Sequence, residues 1–278
     1  MGTITHLSPE WDQWITINIG RAVPAAVLVE EMVKNDFDLA FAMTAVAQRV
    51  NTAPNTNEAV YKNSPRNSWG NRIEIDHHTV GVVTRVSAPE VVVLEHVLTD
   101  AECDALIDLS RPKLSRSTIV DPDTGSYQII AARSSEGTFF LRGENTLVTS
   151  IEKRLSVLTG MPVENGEGLQ ILHYGVEGEY QPHFDYFEPK EAGSAAHLRR
   201  GGQRVSTLIM YLNNVDAGGE TIFPDIGLAV AARKGGGVYF SYCDSQENLD
   251  RRTLHGGAPV KRGEKWIATH WLRQGVYQ

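Results

Sequence analysis

His183 and Asp185 flank a single phenylalanine in the stretch YQPHFDYFEP, residues 180 to 189. On an extended strand, residues two apart share a face, so the imidazole and the carboxylate would point together while Phe184 points away. A metal held there needs a further ligand, and His255 in TLHGGAPV is followed by two glycines that leave space. Two histidines and one carboxylate on one face of a metal make the facial triad of non-haem iron(II) oxygenases, which leaves three coordination positions open. His173, His197 and His270 compete for the third place. His173 faces away from Tyr174 in its strand and His197 lies in a Gly/Ala loop, so they rank below His255. An H-x-D triplet alone is a weak motif, because a hydrogen-bonded core histidine beside a turn aspartate spells the same letters.

A second anomaly lies ten residues beyond His255, in GEKWIATHWL. Strand alternation puts Lys265, Ile267, Thr269 and Trp271 on one face. A lysine among apolar and aromatic neighbours is costly unless an anion meets it. A dicarboxylate gripping the metal by one end would need its far carboxylate neutralised at such a place.

These residues need rigid elements to hold them. From residue 168 the runs GLQILHYG, RVSTLIMYLNN, GGVYFSYC and EKWIATHWL read as strands punctuated by Gly and Pro, which predicts a β-sandwich or jelly roll. Upstream, APEVVVLEHVL reads as a strand. LTDAECDALIDLSR reads as a helix with Thr99 and Glu102 in capping-box spacing, and ENTLVTSIEKRLSVLTG as a second helix ending at Gly160. The fold class expected is α+β, mainly β, with helices buttressing the sheets. At the N-terminus, VPAAVLVEEMVKN and FDLAFAMTAVAQRV suggest a helical hairpin over residues 1–50, with Leu39, Ala42, Met43 and Val46 on one face. Residues 51–75, rich in Asn, Ser and Pro, read as a linker, and 76–278 as the main domain.

Three blocks, LQILHYGVEGEYQPHFDYFEP, GGQRVSTLIMYLNNVDAGGETIFPDIGLAVAARKGGGVYFSY and LHGGAPVKRGEKWIATHWLR, resemble in order the catalytic core of the prolyl 4-hydroxylase family. The likeness covers about residues 90 to 275, and ARSSEGTFF resembles that family's R-T-S-x-G segment, with Ser134 in place of threonine. The resemblance implies a double-stranded β-helix and an iron(II)- and 2-oxoglutarate-dependent dioxygenase that consumes O2, with ascorbate supporting activity. It implies iron at His183, Asp185 and His255. It implies 2-oxoglutarate at Lys265, helped by the Thr207 hydroxyl and the Tyr174 phenol. Arg133, Ser135 and Trp271 fall where the family meets its substrate. That substrate would be a proline-type carbon, either in a free amino acid such as proline or pipecolate or within a proline-containing peptide. A free amino acid would need its carboxylate paired, with Arg133, Arg199, Arg200 and Arg204 as candidates. The loop EPKEAGSAAHLRRGG between metal strand and next strand reads as a mobile lid.

Two other classes fit parts of the pattern. A redox-silent jelly-roll module binding a peptide or sugar has no use for the triad or Lys265. A cupin-type hydrolase or isomerase needs neither Lys265 nor oxygen. The net charge of −8 argues against nucleic-acid and anionic-membrane partners. Cys103 and Cys243 are far apart and form no disulfide framework, which together with the lack of a long apolar run suggests a cytoplasmic protein. The N-terminal helices are free to meet a protein partner or a second copy.

Overall fold

The computed structural model of the chain describes residues 4–20, 23, 25–52, 70–117, 119–120, 127–128, 133–243 and 248–278. Two compact units are present, Met1–Lys62 and Asn63–Gln278. In the first, helices α1 (Pro9–Gly20), α2 (Ala25–Lys34) and α3 (Leu39–Thr52) bury Ile15, Leu28, Met32, Phe37, Ala42, Ala45 and Val46 together. The expected two-helix hairpin is therefore a three-helix unit. Helix α1 lacks an amphipathic stripe and carries β-branched Ile15, Thr16 and Ile19, which disguise it. Packing supports it instead: the Trp11 ring meets both Trp14 and Phe37 edge-on at 5.0 Å. The buried stripe of α3 also differs from the expected one, since Leu39 and Met43 are each 57% exposed.

Residues 53–69, most of the expected linker, lie outside the described residues. Its end is not linker, because Arg72–Ile75 forms strand β1 and Ile75 is buried. There follow β2 (His78–Ser87), β3 (Glu90–Glu95), α4 (Asp100–Ser110), β4 (Ser115–Arg116), β5 (Ile119–Val120), β6 (Tyr127–Gln128) and β7 (Glu136–Phe140). Next come α5 (Thr146–Thr159), β8 (Leu169–Tyr174), β9 (Tyr180–His183), α6 (Ser194–Leu198) and β10 (Arg204–Tyr211). The chain ends with β11 (Ala217–Gly218), β12 (Thr221–Phe223), β13 (Leu228–Val230), β14 (Gly237–Ser241), β15 (His255–Gly257), β16 (Val260–Arg262) and β17 (Lys265–Arg273).

A nine-stranded sheet, β1-β2-β3-β14-β10-β17-β8-β7-β4, faces a four-stranded sheet, β13-β12-β15-β9. The centre of the large sheet is covered on both sides, so β17 has no exposed position and no readable alternation of polarity. Its outer face (Ile171, Leu208, Met210, Trp266, Ala268) packs with Leu106 of α4 and with Ile151, Leu155 and Leu158 of α5. The Thr99–Glu102 capping box fixes the start of α4, and Gly160, at φ 70°, ends α5. The inner face (Leu172, Tyr174, Ile209, Tyr211, Phe240, Ile267) meets Phe223, Val230 and Tyr186 from the small-sheet side. This double-stranded β-helix leaves a cleft between the sheets at one end, and the chemistry-bearing residues converge there.

One strand breaks its own alternation. A bulge between Arg204 and Ser206 in the β10–β17 pairing makes Val205 the extra residue. Val205 therefore packs with the helix-side core, not beside Thr207 and Ile209 as strict alternation predicts, and Arg204 turns into the cleft.

Candidate metal and cosubstrate site

His183 ends β9 and His255 begins β15, and the two are direct partners in the antiparallel pairing. Asp185 follows two residues after His183. The His183 Nε2 to Asp185 Oδ1 distance is 3.6 Å and the His255 Nε2 to Asp185 Oδ2 distance is 3.5 Å. One ligand atom from each of the three lies within 4.8 Å of the others, and among the described residues no other cluster of three such side chains forms. His173 instead bonds Glu264 at 2.8 Å and His197 stacks on Phe187. His270 is buried on the helix side of the sheet, away from the triad, and burial pushes its pKa down to about 4.

Each triad imidazole is oriented by its other nitrogen. His183 Nδ1 meets the Gln181 carbonyl at 2.9 Å and His255 Nδ1 the Thr253 carbonyl at 3.0 Å. A carbonyl only accepts, so Nδ1 carries the proton and Nε2 presents its lone pair to the centre. Burial, then the neighbouring His255, lowers the His183 pKa and keeps that ring neutral. Burial alone would raise the Asp185 carboxyl, but His255 and His183 outweigh it and hold Asp185 ionised well below the usual range. Two imidazoles that turn their Nε2 atoms toward a carboxylate are a fitting donor set for iron(II).

Lys265 opens β17 opposite Tyr174. It is 3% exposed, and among the described residues its ammonium makes no hydrogen bond or ion pair. The Tyr174 ring lies 5.6 Å from it. Burial pushes the Lys265 pKa down to about 8, with only the charge of Glu220 opposing. Gly257 faces this ammonium, and a Cβ there would stand 3.7 Å from Nζ. A buried, uncompensated cation at the end of a cavity that also holds the triad is a receptor for an anionic group.

Comparison with known proteins gives the same answer. The 2OG-Fe(II) oxygenase superfamily matches residues 169–273. Prolyl 4-hydroxylase 5 of Arabidopsis thaliana is 42% identical over 203 residues, covering 66% of this chain and 68% of the relative. The probable prolyl 4-hydroxylase 3 of the same plant is 38% identical, covering 68% and 71%. The crystal structure of a viral collagen prolyl hydroxylase from Paramecium Bursaria Chlorella virus-1, a 2OG complex, aligns with a TM-score of 0.52 at 30% identity, covering 66% of this chain and 95% of that one. The chain belongs to the prolyl 4-hydroxylase-like family of 2OG-Fe(II) oxygenases. It is a 2-oxoglutarate-dependent dioxygenase, with Fe(II) as cofactor and 2-oxoglutarate and O2 as cosubstrates. A redox-silent module or a cupin-type hydrolase is thereby set aside.

In this dioxygenase the cavity measures about 770 Å³ and is walled by Tyr180, Phe184, Phe187 and Trp271 as well as the triad and Lys265. Thr207, expected beside the far carboxylate of the cosubstrate, is placed elsewhere. Its hydroxyl donates to Asp185 Oδ2 at 2.7 Å, and its strand partner is Trp271, six residues along β17 from Lys265. Thr221, on the small sheet opposite Gly257, does share the cavity wall with Lys265 and accepts from the Tyr211 phenol at 2.8 Å. The sequence signal for Thr221 was slight, a single polar residue within the short strand TIF.

Arg133 lines the cavity with its guanidinium over the Tyr180 ring at 4.7 Å, donating to Ser135 Oγ at 3.1 Å and Gln170 Oε1 at 3.2 Å. Ser135 is fully buried behind it and passes a hydrogen bond to Ser117, so it orients Arg133 and does not reach the cavity. Tyr180 in turn stacks on His183 at 3.7 Å. Trp271 is covered by the Arg204 guanidinium 3.9 Å above its ring. Arg204 grips Glu167 with both arms, at 2.7 and 2.9 Å, and donates to the Asp185 carbonyl at 3.2 Å. Arg273 also donates to Glu167, at 2.6 Å. Burial would raise the Glu167 carboxyl, but Arg204 and then Arg273 outweigh it and lower it. The loop expected to act as a lid contains α6, and Arg273 ties it down through the His197 and Gly202 carbonyls at 3.2 and 2.6 Å.

Proposed function

We propose that this dioxygenase hydroxylates a proline residue within a polypeptide, with iron at His183, Asp185 and His255 and the far carboxylate of 2-oxoglutarate paired with Lys265. Bound iron, 2-oxoglutarate and O2 together supply an oxidant able to place oxygen on an aliphatic C–H, with succinate and carbon dioxide released. The protein supplies geometry around that chemistry. Nδ1–H bonds from His183 and His255 aim the two Nε2 atoms, Thr207 holds Asp185, and the aromatic wall excludes water from the reacting carbon.

The observation that carries the peptidyl reading is the state of the arginines. Arg204, which covers Trp271 and donates to the Asp185 carbonyl, and Arg273, which lies over Phe187, are already closed on Glu167. A free amino acid would bring its own carboxylate into competition with a pre-formed buried fork, whereas a peptide bond brings none. A cavity walled with aromatic rings also suits the pre-extended polyproline conformation. The prolyl hydroxylases among the relatives support the same substrate class. The test assays L-proline, L-pipecolate and a blocked proline-rich peptide side by side, with Fe(II), 2-oxoglutarate and ascorbate. A 16-dalton gain on the peptide alone is expected; a gain on a free amino acid and none on the peptide would overturn the reading.

A further inference from the structure

The cavity extends past the triad to a rim unlike its interior. Phe139 and Leu141 line it there, although they are 54% and 74% exposed, and exposed Arg142 and Arg200 stand beside them. Exposed apolar side chains next to cations, continuous with a reaction cavity, are the chemistry of a recognition surface. The distance to the reaction centre can be followed contact by contact. Tyr180 stacks on His183, Arg133 lies over Tyr180 and bonds Gln170, and Phe139 is the strand partner of Gln170. Such a path passes through several side chains, and an extended proline-rich chain rising about 3 Å per residue would follow it over several residues.

Charge selects the occupant. The chain carries a net charge of −8, yet this cavity is lined by six basic residues (Arg133, Arg142, Arg200, Arg204, Lys265, Arg273) and three acidic ones (Glu167, Asp185, Glu191). Glu167 takes up Arg204 and Arg273, and Lys265 faces the cosubstrate end. Arg133 lies inside over the Tyr180 ring, which leaves Arg142, Arg200 and Glu191 as the exposed charges of the lining. Arg142 donates only to peptide carbonyls, those of Glu164, Gly166 and Tyr277, and forms no ion pair among the described residues. Arg200 donates to the main-chain oxygen of Gln278 and stacks on Tyr277. Building on the peptidyl reading, we infer that this rim is a second substrate subsite, which takes an apolar and an acidic side chain of the polypeptide several residues from the target proline.

The experiment scans the substrate. A blocked peptide with one central proline in an alanine-rich background receives Glu, Lys or Leu in turn at each of the five positions on either side, alongside a blocked tripeptide as the short reference. With the full chain, at least one position on one side should favour Glu over Lys about tenfold in kcat/KM, an effect carried mainly by KM and weakened by added salt. Arg200→Glu should level or reverse that preference at that same position. Leu141→Asp, at a side chain exposed enough to leave the fold intact, should abolish the gain from Leu. Equal kcat/KM for the tripeptide and every long peptide would overturn the subsite while leaving prolyl hydroxylation standing. The absence of hydroxylation on any peptide would overturn both.

Discussion

Replacing Lys265 by methionine removes the ammonium and keeps most of the side-chain volume, and the structure makes two predictions of opposite sign. In the ligand-free protein the ammonium is buried without a hydrogen bond or ion pair among the described residues, and the drop of its pKa from 10.5 to about 8 corresponds to roughly 3 kcal/mol against the charged form. Lys265→Met should therefore raise stability at pH 7. The folded-state pKa lies below the unfolded one, so between about pH 8 and 10.5 the unfolded chain binds more protons at this site. The wild type should regain stability relative to the variant as pH rises through that window. With the cosubstrate the sign reverses. A carboxylate delivered to the same pocket without its cation loses about 3–5 kcal/mol, or roughly 10²- to 10⁴-fold in 2-oxoglutarate affinity. Wild-type affinity should itself weaken above about pH 8 as the ammonium deprotonates. Thermal melts across pH, with and without 2-oxoglutarate, and the KM for 2-oxoglutarate measure both effects. A variant less stable than wild type at pH 7, or one with wild-type 2-oxoglutarate dependence, would refute the reasoning.

Thr207→Val deletes the hydroxyl that donates to Asp185. It should weaken Fe(II) or Co(II) binding about 10- to 100-fold, with a smaller effect on the 2-oxoglutarate KM; the converse pattern would return Thr207 to the cosubstrate. Glu167→Gln leaves Arg204 and Arg273 without their shared carboxylate and should cost about 3–5 kcal/mol of stability in urea unfolding. Because the Glu167 pKa is lowered by folding, the wild-type advantage over this variant should be complete above the ordinary carboxylate range and fade as pH falls below it. A chain starting at Gly70 should still consume 2-oxoglutarate, since every triad and cosubstrate residue lies in the second unit. One starting at Asp76 loses β1 and the buried Ile75, at a cost of roughly 2 kcal/mol visible as a lower denaturation midpoint.

The triad was legible because ligand chemistry and a period of two are both written in the letters of YQPHFDYF, and Lys265 because it breaks an apolar face. The jelly-roll class and its helical buttresses were legible from caps and strand punctuation. Thr207 shows where such reading stops. Alternation correctly put its side chain on the inner face, but a face has two ends, and only the β10–β17 register shows that Thr207 stands at the Trp271 end, far from Lys265. Arg204 was hidden for a different reason. Without the bulge its side chain would point to the helices, and nothing in GGQRVST announces that Val205 is the extra residue. Glu167 was hidden with it, because a partner cannot be sought for a fork that seems to face the other way. Helix α1 was missed because ring packing, not periodicity, supports it.

What these residues build is a site whose charges are incomplete in two places. At one end, Asp185 is kept anionic between two imidazoles that turn their lone pairs inward, an arrangement that repels anions and waits for a cation. At the other, Lys265 is kept buried with no hydrogen bond or ion pair among the described residues, an arrangement that waits for an anion. A divalent metal and a dicarboxylate added together cancel both, since one carboxylate and one ammonium contribute equal and opposite charge. Either ligand alone leaves an imbalance in a poorly solvated cavity, where such an imbalance is costly. A dianion entering before the metal meets Asp185 at its inner end, so the chain's own electrostatics make cosubstrate affinity conditional on the metal. The Glu167 fork extends the same logic within the wall, where it neutralises Arg204 and Arg273 beside the Trp271 ring and leaves Lys265 as a buried cation with no carboxylate bonded to it among the described residues.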